Sequence, residues 1–143
     1  MPSLEERFTA ALHHTARAWR LGLDARLKDL GIGQAGWMAI AVIAKSATPV
    51  SQKELADQLG VEGPSVVATI DRLVAADLVV RAPSELDRRV KRVLLTPAGQ
   101  VMYGKVKTEA EAYRHATLSD FDQAALRSAT ELLEALRARI ERP

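Results

Sequence analysis

The most chemically specific stretch of the chain is DRRVKRVLLT, residues 87–96, which places four basic side chains within six positions. Guanidinium and ammonium groups attract phosphates, and an Arg can enter the narrow, electronegative minor groove of duplex DNA. Asp87 stands two residues before Arg89, so its carboxylate can accept hydrogen bonds from the guanidinium and hold it extended. We therefore predict that Asp87 orients Arg89 for insertion into DNA, with Arg88 beside it. A charged hairpin that only maintains solubility is the alternative.

A β-hairpin is the element that the neighbouring residues predict for this stretch. LVVRAP at 78–83 is typical of one strand and RVLLT at 92–96 of a second, with the charged residues in the loop between them. Because side chains alternate across a strand, Lys91 and Arg92 cannot both face the same DNA surface.

Two short helices are predicted directly before this hairpin. Residues 51–60 begin with Ser51 and Glu54 at capping-box spacing and end at Gly60, and a second helix begins near Pro64. The apolar residues on one face of the second helix are Val66, Ile70 and Leu73. Two helices joined by a tight turn that contains Gly are typical of a helix-turn-helix, and the following hairpin makes it a winged helix.

The first part of the chain predicts one long amphipathic helix. An apolar side chain recurs every three or four residues up to Leu30, and Gly31 and Gly33 follow as stop signals. A second helix, over about 34–46, is apolar nearly all round, which predicts that it is buried.

Two more helices are predicted after the hairpin. Thr96 and Pro97 open one that runs to about Tyr113, and Ser119 with Asp122 has the spacing that caps a last one. The apolar stripe of this last helix is Phe121, Ala125, Leu132, Leu136 and Ile140.

Apolar stripes at both chain ends are more than one small winged helix can cover, so we predict an isologous homodimer. The alternative is that both helices fold back on their own domain. The predicted fold class is mainly α with a small β-hairpin wing. We assign residues 1–32 to an N-terminal dimerisation helix, 33–96 to the winged helix-turn-helix and 97–143 to C-terminal dimerisation helices, together forming one compact domain.

Composition sets further bounds on the function. The 143 residues are 48% hydrophobic, which is enough to form a core, and the formal net charge of +2 is mildly basic. The lack of Cys excludes disulfides and thiolate metal sites. No secretory leader is evident, and the longest apolar run, 35–44, is too short to span a membrane. We therefore expect a soluble, cytoplasmic protein without a membrane partner.

The charge is distributed unevenly along the predicted winged helix. Residues 51–80 carry two basic and five acidic side chains, whereas residues 81–96 carry five basic and two acidic ones. Attraction to phosphates is therefore expected to be strongest at the wing.

These residues resemble the MarR family of winged-helix transcription regulators. DRRVKRVLLT fits the wing pattern D-x-R-x-x-x-V-x-L-T, and residues 51–81 look like that family's helix-turn-helix. AWR at 18–20, QAGW at 34–37 and DRRVKR at 87–92 are most similar to the SlyA-like branch. The resemblance covers almost the whole chain. It implies a homodimer, built from the first and last helices, that binds a pseudo-palindromic duplex DNA operator.

The resemblance also implies which residues contact DNA. A recognition helix at about 63–76 enters the major groove, and the wing enters the flanking minor groove. The implied contact residues are Ser51, Gly63, Pro64, Ser65, Val67, Ala68, Arg72, Asp87, Arg88, Arg89 and Lys91.

Ala68 departs from the family, because many relatives have an Arg at this position. A methyl group can contact a thymine methyl but cannot make a bidentate contact to guanine. Either base reading shifts to Ser65, Val67 and Arg72, or the protein recognises a different, less specific site.

Relatives often bind small aromatic acids between the dimerisation helices and the winged domain, and the ligand weakens operator affinity. The resemblance therefore implies a small-molecule effector, and no cofactor. The candidate ligand residues are His13, Arg17, Trp19, Trp37 and Met38. Arg17 could meet a carboxylate and the indoles could stack on a ring, whereas the alternative is that Trp19 and Trp37 only pack in the core.

Neither a metal site nor catalysis is predicted. His13 and His14 are adjacent, so their side chains diverge on a helix, and His115 lies far along the chain. No nucleophile–base set or phosphate-binding Gly loop is present, so we predict that the protein is not an enzyme.

The sequence thus predicts a homodimeric, sequence-specific DNA-binding repressor that a small ligand releases. One alternative is a SlyA-like activator or counter-silencer that displaces a nucleoid protein. Another is a winged-helix module for protein–protein interaction that does not read DNA, which Ala68 and the acidic balance of residues 51–80 favour.

Overall fold

The computed structural model describes residues 1–142, which form six α-helices and a small antiparallel sheet of three strands. The helices are α1 (Leu4–Leu27), α2 (Gly33–Lys45), α3 (Gln52–Leu59), α4 (Gly63–Ala75), α5 (Pro97–Leu118) and α6 (Gln123–Glu141). The strands are β1 (Val50–Ser51), β2 (Val79–Pro83) and β3 (Lys91–Leu95). This mainly α architecture with a β-hairpin wing is the fold class that the sequence predicts.

The first helix begins and ends at residues with a clear local cause. Ser3 and Glu6 form a reciprocal capping box, in which each side chain accepts from the other residue's backbone N–H. The prediction of one helix up to Leu30 was too long, because α1 ends at Leu27 and a 3-10 turn, Lys28–Leu30, follows. Gly31 then adopts a left-handed conformation with φ of 75°, which a residue without a Cβ tolerates best.

The sheet has the strand order β1-β3-β2, so β3 is its central strand. The β2–β3 hairpin pairs Val79 with Leu95 at one end and Pro83 with Lys91 at the other, which confirms the predicted hairpin to within one residue at each end. Strand β1, whose Val50 pairs with Val93, was not predicted from the sequence. Two residues are too few to show the alternation from which a strand is recognised.

The hydrophobic core lies between α2, α3, α4 and the sheet. Val66, Ile70 and Leu73 are at most 3% exposed, so the predicted inner face of α4 is confirmed. Ile40 and Leu55 from the neighbouring helices are completely buried beside it. The opposite face of α4 is thereby left to solvent.

The start of α5 is anchored to the hairpin by Thr96. The Thr96 hydroxyl donates to the Asp77 carbonyl oxygen at 2.6 Å and accepts from the Gly99 N–H at 2.9 Å. Thr96 also donates its own N–H to the Leu78 carbonyl oxygen. The residue that ends the wing pattern therefore caps the following helix and ties it to the beginning of β2.

The chain divides into two compact units, Met1–Glu111 and the residues from Ala112 onward. In the second unit, Asp122 caps α6 by accepting from the Ala125 N–H at 3.1 Å. The prediction that Ser119 takes part in this cap was wrong, because Ser119 donates its N–H back to the His115 carbonyl oxygen at the end of α5. None of the described residues of α6 is buried.

Candidate nucleic-acid interface

Helices α3 and α4 form the predicted helix-turn-helix. The Ser51 hydroxyl caps α3 by accepting from the Glu54 N–H at 3.0 Å, and Gly60 ends the helix in a left-handed conformation with φ of 67°. Because Ser51 is only 6% exposed, it orients α3 and offers little surface to a ligand. Pro64 occupies the first turn of α4, where its missing N–H costs no helical hydrogen bond.

The outward face of α4 consists of the residues that the sequence predicts for the major groove. All the contact residues predicted on α4 are exposed, namely Gly63, Pro64, Ser65, Val67, Ala68 and Arg72. Among these residues, only Arg72 and Ser65 have polar side chains: Arg72 carries a cation and Ser65 a hydroxyl group. Ala68 lies between them and leaves a small, apolar position on the helix surface.

The tip of the wing is a turn that its own backbone holds closed. The Ser84 N–H donates to the Val90 carbonyl oxygen at 2.8 Å, and the Val90 N–H donates to the Asp87 carbonyl oxygen at 3.0 Å. The buried Ser84 hydroxyl also accepts from the Leu86 N–H. The basic side chains of the tip therefore project from an ordered backbone.

Asp87 and Arg89 form the bidentate pair that their spacing predicts. Asp87 Oδ1 accepts from Arg89 Nε and Oδ2 accepts from Nη2, both at 3.2 Å, and Oδ1 also accepts from the Arg89 N–H at 3.0 Å. These bonds, of which those from the Arg89 side chain contribute most, hold the pKa of Asp87 below its ordinary value. The Arg89 side chain remains 91% exposed, so it is aimed by Asp87 and still accessible.

Two of the five cations counted for the wing are bonded to other elements of the structure. Arg81 Nη2 lies 2.7 Å from Asp71 Oδ1, and Arg92 Nη1 donates to the Pro49 carbonyl oxygen at 2.6 Å. The wing thus offers less free positive charge than its composition indicates. Lys91 is exposed while Arg92 is half-buried, which confirms that these neighbours do not share one surface.

The cations that remain available on the wing are Arg88, Arg89 and Lys91. Within residues 1–142, the exposed side chains of Arg88 and Lys91 form no hydrogen bond or ion pair. A cleft of about 550 Å³ separates the wing from the start of α3. Its lining carries the cations Lys53, Arg89 and Lys91 and the acids Glu54 and Asp57. The positive charge of this cleft therefore lies mainly on the wing side, where a phosphate would be attracted.

Of the five residues predicted to bind a ligand, Met38 lines a cavity of about 290 Å³ between α1, α2 and the turn from α3 to α4, and the other four do not line it. Its other lining residues include Arg20, Gln34, Val61 and Ser65. His13 and Arg17 are exposed on α1.

Trp37 is part of the core. The indole is 7% exposed, and its Nε1 donates to Asp24 Oδ1 at 2.9 Å, which links α2 to α1. Trp19 is half-buried on α1. Packing, the alternative that the sequence left open for both indoles, agrees with this placement of Trp37.

Residues 1–142 contain neither a candidate metal site nor a candidate membrane span. No three of their His, Asp and Glu side chains are grouped so that they could hold a metal ion. In residues 1–142 no helix has both the length and the apolar character that crossing a membrane requires.

A helix-turn-helix whose second helix faces solvent, followed by a cationic hairpin, defines a winged-helix protein. Comparison with known proteins narrows this class. A model of the MarR family matches residues 30–90. The transcriptional regulator PA3341 is 34% identical, with a TM-score of 0.88 over 95% of this chain and 99% of the other. A MarR transcriptional regulator from Methanosarcina mazei Go1 is 25% identical, with a TM-score of 0.82 over 94% and 96% of the two chains.

The chain belongs to the MarR family. Its fold prediction is thereby confirmed, and transcription regulation rather than catalysis is the class of function that this membership supports. The transcriptional regulator SlyA also shares the fold, with a TM-score of 0.80 over 93% of each chain, at 16% identity.

Proposed function

We propose that this protein is a homodimeric repressor that binds a pseudo-palindromic DNA operator and is released from it by a small ligand. The observation that carries the proposal is the wing tip, where Asp87 holds an Arg89 side chain that is 91% exposed. An Arg that is extended before it meets DNA loses less conformational freedom on entering the minor groove.

The recognition helix α4 enters the major groove in this proposal. Ser65 and Arg72 supply its hydrogen bonds to bases or phosphates, and Ala68 packs against a thymine methyl group. Because no long cation occupies position 68, the wing carries a larger share of the affinity than a helix with an Arg there would leave to it. Ser51, Gly63, Pro64 and Val67 shape the contact, while Arg88 and Lys91 contact phosphates.

The ends of the chain support the dimer. The exposed apolar side chains of α1 include Leu4 at 74% and Leu21 at 54%, and those of α6 include Leu132 at 55% and Ile140 at 68%. Helices that leave such side chains in water are stabilised by a second copy that covers them. Residues 1–32 and 97–143 then form the dimer, and residues 33–96 read the DNA.

The cavity between α1, α2 and the helix-turn-helix supports the ligand response. Its lining combines the Arg20 guanidinium with apolar surface from Met38 and Val61, which suits a small acid with a ring. Ser65, a proposed DNA contact at the start of α4, lines the same cavity. A ligand seated there is therefore placed to displace the recognition helix. His13, Arg17, Trp19 and Trp37 are less suited, because none of them lines this space.

A binding experiment with a matched control tests the DNA proposal. The wild-type protein is titrated onto duplex from its own promoter region at several salt concentrations, beside Arg89→Ala and Lys45→Ala. Lys45 is an exposed cation at the end of α2, outside the proposed DNA contacts and outside the proposed dimer segments. We expect Arg89→Ala to weaken binding about a hundredfold, since two wings each lose about 1–3 kcal/mol. Lys45→Ala is expected to bind like the wild type.

The same experiment decides against the proposal if the wild type shows no salt-sensitive duplex binding, or if Arg89→Ala and Lys45→Ala lose affinity equally. Absence of duplex binding would instead favour a winged-helix module for protein–protein interaction, which the small Ala68 and the exposed acids of α3 and α4 support. A SlyA-like activator that displaces a nucleoid protein makes the same DNA contacts. The sign of the transcript change at directly bound promoters in a deletion strain separates it from a repressor.

A further inference from the structure

Arg81 on β2 is bonded to both helices of the helix-turn-helix. Its Nε donates to Gln52 Oε1 at 2.7 Å, at the start of α3. Its Nη2 lies 2.7 Å from Asp71 Oδ1 and 3.4 Å from the Val67 carbonyl oxygen, both on α4. One guanidinium thus connects the wing with α3 and α4 across 29 residues of sequence on one side and 14 on the other.

The planar guanidinium is suited to this task because its donors have a fixed relative geometry. Because Gln52 accepts from Nε and Asp71 accepts from Nη2, the rigid guanidinium fixes the distance between α3 and α4 at the positions of these two residues. The Arg81 side chain is 27% exposed, and its Nε and Nη2 donors are already occupied by protein acceptors. It is therefore placed to act through other residues, in contrast to the exposed Arg89.

The two contacts on α4 lie one helical turn apart, at Val67 and Asp71. The residues that follow them directly, Ala68 and Arg72, belong to the face proposed to read bases. Because neighbours on a helix are fixed at about 100° from each other, holding Val67 and Asp71 also fixes the direction in which Ala68 and Arg72 project.

We propose that Arg81 is a positioning residue, which holds the recognition helix at a fixed rotation relative to the wing. This inference rests on the proposed DNA-binding function. Arg81 also pairs with the Asp71 carboxylate, which is 61% exposed beside the reading face and would otherwise repel phosphates. The contact of Arg81 with α4 thereby keeps the recognition helix, which enters the major groove, aligned with the hairpin, which enters the minor groove.

The variant Asp71→Asn separates positioning from simple charge. If only electrostatic repulsion matters, removing this acid strengthens DNA binding. If positioning matters, the weaker contact with Arg81 lowers the affinity for the operator. We expect Asp71→Asn to lower the ratio of operator affinity to scrambled-duplex affinity about fivefold, while its scrambled-duplex affinity holds or rises. Asp57→Asn is the matched control, because Asp57 is an exposed acid of α3 that forms no ion pair within residues 1–142.

The variant Arg81→Met is the second arm, measured with a duplex that the wild type selects from a random pool. We expect the affinity ratio to fall about tenfold while the slope of affinity against salt stays unchanged. A direct phosphate contact by Arg81 would instead lower both affinities and reduce the slope by about 1 per site. A purely global loss of stability would lower both affinities together and leave the ratio constant. Either of these two results overturns the proposal.

Hydrogen exchange of the free protein tests the contact without DNA. Arg81→Met is expected to speed the exchange of α4 amides severalfold relative to those of α2, because α4 loses its bonds to Arg81 whereas α2 has none to lose. Unchanged α4 exchange would overturn the positioning role. If the wild type selects no duplex, the proposed function fails, and the exchange result alone decides whether Arg81 holds the recognition helix.

Discussion

Replacing Gly99 by alanine tests how α5 is fixed to the wing. Gly99 is buried in the first turn of α5, and a Cβ at this position would overlap the carbonyl oxygen of Leu78. It would also lie 3.1 Å from the Leu78 carbonyl carbon and 3.3 Å from Leu95 Cβ. These neighbours are backbone and β-strand atoms, which cannot turn away as the end of a flexible side chain can. The start of α5 must therefore move off the strand.

That movement strains the three hydrogen bonds of Thr96. They join its N–H to the Leu78 carbonyl at 3.1 Å, its hydroxyl to the Asp77 carbonyl at 2.6 Å and the Gly99 N–H to the hydroxyl at 2.9 Å. Each is worth about 1 kcal/mol, and overpacking a buried position costs about 1–3 kcal/mol. Since alanine regains about 1 kcal/mol of helix propensity, we expect Gly99→Ala to lower the free energy of unfolding by about 3 kcal/mol.

Gly104 provides the control on the same helix. It is exposed, and a Cβ there would meet nothing within 4 Å, so Gly104→Ala is expected to raise the free energy of unfolding by about 0.5–1 kcal/mol. Urea unfolding at one fixed protein concentration compares both variants with the wild type, because a dimer's stability depends on concentration. A Gly99→Ala variant as stable as Gly104→Ala would refute the close approach of α5 to Leu78.

Three further outcomes are expected. Since Arg89 lowers the pKa of Asp87, the stabilising contribution of the pair is complete above the ordinary Asp pKa and is lost as the pH falls through the lowered one. Carboxyl NMR should therefore show a higher pKa for Asp87 in Arg89→Ala than in the wild type. An unchanged pKa would contradict the pairing. Trp37→Phe removes the bond to Asp24 and should lower the free energy of unfolding by about 1 kcal/mol without changing affinity for an aromatic acid. Leu132→Glu should convert a dimer into a monomer in analytical ultracentrifugation with the helix content retained, whereas an unchanged mass would argue against α6 as part of the interface.

Local patterns in the sequence were sufficient for most of the fold. The apolar face of α4 follows from the spacing of Val66, Ile70 and Leu73, and the end of α3 follows from Gly60, because helices repeat every 3.6 residues and a left-handed residue stops them. The pairing of Asp87 with Arg89 was also accessible, since two residues of separation in a turn bring a carboxylate and a guanidinium together.

Contacts between residues far apart in the sequence could not be predicted from local patterns. The charge count included Arg81 and Arg92 among the five cations of the wing, yet each bonds to an element far away in sequence. The bond from the Thr96 hydroxyl to the Asp77 carbonyl oxygen and the bond from Trp37 to Asp24 likewise join separate elements. No local spacing signals such contacts, because which side chain lies within reach is known only once the elements have packed.

The sequence by itself therefore determined the order and type of the six α-helices and of the β-hairpin, together with the cationic wing and the pairing of Asp87 with Arg89. Periodicity, capping residues and turn chemistry are properties of neighbouring residues, and they act before the chain is folded. Only the tertiary structure decided which cations remain free and which hold the framework. Arg81 illustrates the reason, because its partners Gln52 and Asp71 reach it only when β2 packs against α3 and α4.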